Sequence, residues 1–197
     1  MKISRFVATA AVLFAAGAQA DVVRYATALA PEATGATGSG FVTVDYDSVE
    51  NTLLINANWS GLSGPTTVAH IHCCTAVPGT GTIGVAVTPS TLPGFPGVGS
   101  GTTGVMAGSY TSPLIDLDLA SSFTTGFVNT FAGGNLANAS DVLLAGFDAG
   151  TAYFNVHSTT FPGGEIRGFL QIPEPGSLAL VSAALLGLSG FGRKRAQ

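Results

Sequence analysis

Charge is scarce in this chain. Only 9% of its 197 residues are Asp, Glu, Lys or Arg, against about 25% in an average soluble domain, while 46% are hydrophobic. Disorder driven by charge is therefore excluded. Between residues 21 and 172 there is no lysine at all, and Arg24 and Arg167 stand against ten carboxylates. A surface of that sign repels phosphate backbones and releases no counterions from DNA or RNA, so nucleic acid is excluded as a partner. Cationic partners and metal ions remain open. Long runs of Ala, Leu, Glu and Lys are missing, and 27 Gly with 10 Pro take their place, which argues against a helical bundle and for short strands joined by turns. No serine sits in a nucleophile elbow, and the glycine-rich stretch 97–108 lacks the strand, helix and lysine of a phosphate-binding loop.

The missing basic residues are at the ends. Lys2 and Arg5 precede an apolar run, Phe6 to Ala16, and Ala18-Gln19-Ala20 supplies the small-x-small pattern read by signal peptidase. Residues 1–20 are therefore expected to be a signal peptide, cleaved before Asp21. At the other end Pro173-Glu174-Pro175 is followed by an uncharged stretch, Gly176 to Gly192, and by Arg193-Lys194-Arg195. Those seventeen residues span about 25 Å as a helix, the lower limit for crossing a bilayer, and the basic cluster would keep the domain outside. In this order the three features resemble the PEP-CTERM sorting signal of Gram-negative bacteria, over residues 173–197. The resemblance implies an exosortase partner, a transient inner-membrane anchor through helix 176–192, cleavage near the motif, and a final place in the periplasm, at the cell surface or in an extracellular matrix. An ordinary transmembrane anchor is the other reading of the same residues.

Residues 21–172 suffice for one well-buried domain. Val22 to Leu29, Gly40 to Tyr46, Thr52 to Ser60 and Thr66 to His72 read as strands, with Asp47 to Asn51 as a hairpin turn. In the third, Leu53, Ile55, Ala57 and Trp59 share one face, opposite Thr52, Asn56 and Asn58. Ile83 to Val87 and Thr103 to Met106 are shorter candidates, and Pro113 makes Tyr110 to Leu119 an edge or a bend. One helix is expected from Ser140, capped by that serine, with Leu143, Leu144 and Phe147 on its apolar face and Gly150 as its stop. Thr151 to Ser158 and Gly164 to Ile172 close the chain as strands. The pattern predicts an all-β fold, an antiparallel sandwich with one short helix.

All three histidines fall in these strands. His70 and His72 alternate, so both imidazoles point to one face with Cα atoms about 6.5–7 Å apart, a spacing that lets them converge on one metal ion. Asn155 and His157 share a face in the penultimate strand, as do Glu165 and Arg167 in the last. A solvated histidine pair and a structural Glu165–Arg167 salt bridge are the plainer readings. The metal reading requires the early histidine strand and the closing Glu-Ile-Arg strand to lie side by side. Cys73 and Cys74 follow His72 directly; in an oxidising compartment they form a vicinal disulfide, serve as soft metal ligands, or bridge between molecules. Asp45 with Asp47, and Asp116 with Asp118, are alternating carboxylates that suit either weak calcium binding or a solvated turn.

Gly61-Leu62, Ala69-His70-Ile71-His72, Tyr153-Phe154-Asn155-Val156-His157-Ser158 and Phe161-Pro162-Gly163-Gly164-Glu165-Ile166-Arg167-Gly168 resemble the CHRD domain family, named for chordin. The resemblance covers most of residues 21–172. It implies an immunoglobulin-like β-sandwich and an exported protein; chordin is extracellular and binds growth factors. A second likeness is to copper-zinc superoxide dismutases, whose copper site uses a His-x-His strand, a later histidine and an arginine near the end, in the order of His70, His72, His157 and Arg167 here. The chain departs from that family in having no histidine for a bridging ligand and no zinc loop, and its negative charge opposes an anionic substrate. The expectation is thus an exported, surface or matrix protein with a binding or structural domain and no convincing catalytic set. The alternative is a site for copper, or zinc, at His70, His72 and His157, with redox activity.

Overall fold

The computed structural model describes residues 22–173. The expected signal peptide with Ala18 and Ala20, the sorting residues Glu174, Pro175, Arg193, Lys194 and Arg195, and the helix 176–192 lie outside the described residues. No helix among the described residues is long and apolar enough to cross a membrane.

The domain is mostly β: one curled antiparallel sheet of nine strands with two short helices. The strands are β1 (Val22–Pro31), β2 (Ser39–Asp47), β3 (Thr52–Ser60), β4 (Thr66–His72), β5 (Val85–Val87), β6 (Gly108–Thr111), β7 (Ile115–Asp116), β8 (Tyr153–Ser158) and β9 (Ile166–Phe169). Their order is β5-β4-β8-β9-β1-β2-β3-β6, with β7 also paired to β3. The curl is made by β1. From Val22 to Leu29 it pairs with β2, while Ala30 and Pro31 pair with Arg167 and Ile166 of β9. A glycine is required where these two strands meet, since a Cβ on Gly168 would run into the Ala28 carbonyl and the Thr27 side chain.

Alternation sorts the side chains as the period of a strand demands. Val42, Val44, Leu53, Ile55 and Trp59 from one part of the sheet and Ala69, Ile71, Phe154, Val156 and Ile166 from the other join a single buried cluster. Full burial of such side chains is worth roughly 1.5–3 kcal/mol each, enough to set the register of every strand that carries two or three of them.

The irregular stretches depart from expectation. Thr103 to Met106 is not a strand, and of Tyr110 to Leu119 only its first two residues, with Ile115 and Asp116, are paired. The expected helix forms as α2 (Ala139–Asp148), but its N-cap is Asn138, two residues before Ser140, and makes no side-chain cap hydrogen bond, so Ser140 is not its cap. A second helix, α1 (Thr125–Phe131), was not expected, because Gly126, Val128 and Thr130 are poor helix formers. It is held by its cap, where Thr124 Oγ1 accepts the Phe127 N–H at 3.1 Å, and by burial of Phe127 against Phe123.

Candidate metal centre

The opposite face of β4, β8 and β9 is polar. Antiparallel register sets His70 opposite Asn155 and His72 opposite Tyr153, and on the far side of β8 it sets Arg167 opposite Asn155 and Phe169 opposite Tyr153. The histidine strand and the closing strand were expected to lie side by side; instead they flank β8 on either side. The polar residues still share one face, because β8 carries Asn155 and His157 on the same side.

The three imidazoles meet. One ring nitrogen from each lies within 4.8 Å of the other two. His70 Nε2 faces the Ser90 carbonyl at 2.8 Å, His72 Nδ1 that of Ile83 at 2.7 Å, and His157 Nδ1 that of Pro162 at 2.7 Å. A carbonyl only accepts, so each of these nitrogens carries the hydrogen and the tautomer of each neutral ring follows. The nitrogens turned away from those carbonyls are His70 Nδ1, His72 Nε2 and His157 Nε2. His70 Nδ1 and His157 Nε2 stand 3.3 Å apart, and His72 Nε2 is 3.2 Å from Asn155 Oδ1.

The surroundings disfavour the charged form of His70 and His72. His70, His72 and His157 are 7%, 8% and 9% exposed, and the Tyr153 ring stacks on His72 at 4.6 Å. Burial lowers the His70 pKa to about 4 and moves His72 in the same direction, the carbonyl hydrogen bonds to Ser90 and Ile83 opposing it in part. Neutral imidazoles with far nitrogens tied to carbonyls are the form that binds a transition metal, and such ties fix ring orientation and raise basicity. A soft or borderline ion suits this donor set better than calcium or magnesium.

Arg167 does not pair with Glu165. It reaches Glu32 at 3.6 Å, donates to the Gly81 carbonyl at 2.8 Å and lies over the Tyr153 and Phe169 rings. Glu165 is fully buried and one of its oxygens accepts the Ser63 N–H, tying the loop before β4 to the loop before β9; its Oε2 has no hydrogen-bond partner among the described residues. Glu32 went unnoticed in the sequence, although it is the lone carboxylate between residues 22 and 44. It accepts from Asn155 Nδ2 at 3.2 Å, and burial raises its pKa despite that bond and Arg167. Glu32, Arg167, Thr82, Pro162 and Gly164 line a cleft of about 340 Å³ beside the histidines.

Cys73 and Cys74 are joined to each other in a vicinal disulfide, against Gly146 of α2, and among the described residues the convergent donors are the histidines alone. The acidic pairs serve turns and strand edges: Asp45 holds Arg24, Asp47 accepts the Val49 and Glu50 N–H groups, Asp116 accepts the Asp118 N–H, and Asp118 accepts from Asn51.

No curated protein and no solved structure matches the chain. The family model described as "CHRD domain" matches residues 15–170, which include β1 through β9, the three histidines and the closing Gly-Gly-Glu-Ile-Arg-Gly segment. The chain therefore belongs to the CHRD domain family.

Proposed function

We propose that this is an exported CHRD domain which captures a transition-metal ion, copper or zinc, through His70, His72 and His157, and which acts at the cell surface or in an extracellular matrix. The observation that carries the reading is the commitment of all three far ring nitrogens to backbone carbonyls, while one nitrogen of each ring lies within 4.8 Å of the other two. A surface histidine pair would not need a third imidazole, nor three carbonyls to orient the set.

Export by a signal peptide, sorting by an exosortase at Pro173-Glu174-Pro175 and an immunoglobulin-like sandwich belong to the same reading, supported by the order of the terminal motifs and by the family. Capture rather than turnover is favoured by the burial of the rings, which leaves little surface for a substrate to reach the ion. Dismutase activity would also have to overcome the excess of carboxylates over residues 21–172.

Metal analysis of the protein purified from the periplasm, followed by titration of the stripped protein with copper and zinc, tests the proposal. One equivalent bound, a rise in thermal stability on binding, and loss of both in His157→Ala are expected. A stripped wild-type protein that gains no stability from either ion overturns it. Deleting Pro173 to Pro175 should abolish release to the surface without changing metal uptake.

A further inference from the structure

The three histidines leave one question of chemistry open: what fills the fourth position of the ion. Zinc-class ions held by proteins are almost always four-coordinate; a closed site takes its fourth ligand from the protein, and an open one leaves it to water or substrate. The hydrogen-bond pattern around Asn155 answers this.

Asn155 is 2% exposed and sits at the centre of the polar face, opposite His70, two residues before His157 and in contact with His72. Its amide has a defined orientation. The nitrogen donates to a Glu32 carboxylate oxygen at 3.2 Å, and the oxygen is the atom turned to His72 Nε2. That ring nitrogen is itself a lone pair, because its partner Nδ1 donates to the Ile83 carbonyl. Two acceptors therefore face each other at 3.2 Å with no hydrogen between them. His70 Nδ1 and His157 Nε2 stand at a similar separation, 3.3 Å. Buried polar atoms held this close are favourable where a proton or a metal cation lies between them. Two donors bound at about 2.0–2.1 Å to one tetrahedral ion stand about 3.3 Å apart, the separation that each of these two pairs already has. The ion would then draw the two pairs toward each other, from the 4.8 Å that bounds the histidine nitrogens now.

We infer that Asn155 Oδ1 is the fourth ligand, so that His70, His72, His157 and Asn155 form a closed N3O site for a divalent ion of the zinc class. Glu32 holds the Asn155 amide in the ligating orientation, and Arg167 holds Glu32. This rests on the proposed three-histidine site and deepens it, for a closed site holds its ion without offering it to a substrate.

Cobalt(II) is the probe, since its visible spectrum reports coordination number and azide reports an open position. The full exported chain loaded with one equivalent of cobalt should give the intense bands of a four-coordinate ion, unchanged by azide. In Asn155→Ala a solvent ligand replaces the amide: the bands should shift, azide should shift them again, and affinity should fall roughly 10–100-fold. Asn155→Asp keeps an oxygen donor and should restore azide resistance, a rescue that mere packing would not produce. A wild-type cobalt spectrum that responds to azide overturns the fourth-ligand assignment whether or not the variants fold, as does an Asn155→Ala spectrum identical to wild type. Failure of the wild-type chain to take up cobalt, copper or zinc overturns the three-histidine site itself.

Discussion

Acidifying the metal-free protein tests the electrostatics of the histidine cluster directly. Burial holds the His70 pKa at about 4 in the folded chain against an ordinary 6.5. The unfolded chain therefore takes up this proton first, and stability falls as the pH drops from about 6.5 toward 4, being fully present above that window. The difference is worth about 3 kcal/mol for His70, a large part of the roughly 5–15 kcal/mol that holds a domain together. His72, lowered by the same cause, adds to the loss. Glu32 works in the other direction: burial raises its pKa, so the folded chain pays for its charge at neutral pH and is relieved of it on acidification. The His70 contribution is isolated by comparing wild type with His70→Gln, which fills similar space and does not titrate. Urea midpoints for residues 21–172 in EDTA, taken from pH 7 to pH 4, should fall more steeply in wild type, the two curves converging by up to about 3 kcal/mol. Parallel curves would refute the claim that His70 is buried neutral, and with it the assignment of its lone pair.

Three further outcomes follow from other parts of the fold. In Gly146→Ala the new methyl meets Cys73 Sγ and, at 2.9 Å, Cys74 Sγ, so a loss of about 1–3 kcal/mol in chemical denaturation is expected, larger than for an alanine placed at the open Gly126. Replacing Cys73 and Cys74 together by serine should leave the metal affinity of the protein unchanged in calorimetric titration, because the converging donors are imidazoles; a large drop would return the sulfurs to the ligand set. Arg24→Ala removes a two-bonded contact to Asp45, but the guanidinium is exposed and screened, so no measurable change in melting temperature is expected.

How much was legible in advance depended on whether a signal was periodic. The strands β1 to β4, β8 and the heart of β9 could be read because alternation over five or more residues has one explanation, a sheet with one buried face. The sharing of a face by His70 and His72, and by Asn155 and His157, follows from the same period. Helix α1 could not be read, since Thr125 to Phe131 has poor propensity and is made helical by the packing of Phe127. The role of Glu32 was equally hidden: it lies just past the end of β1, and only the pairing of Ala30 and Pro31 with β9 brings it to Asn155 and Arg167.

Sequence alone determined that this is a charge-poor β domain with three histidines on strand faces, because composition and a two-residue period are local properties of a chain. Which strands are neighbours is not local. The order β4-β8-β9-β1 alone decided that His157 joins His70 and His72, that Glu165 turns to Ser63 while Arg167 turns to Glu32, and that the carbonyls of Ser90, Ile83 and Pro162 stand where they orient three rings. Those partners come from loops whose course is set by burial of the core, and no spacing along the chain encodes it.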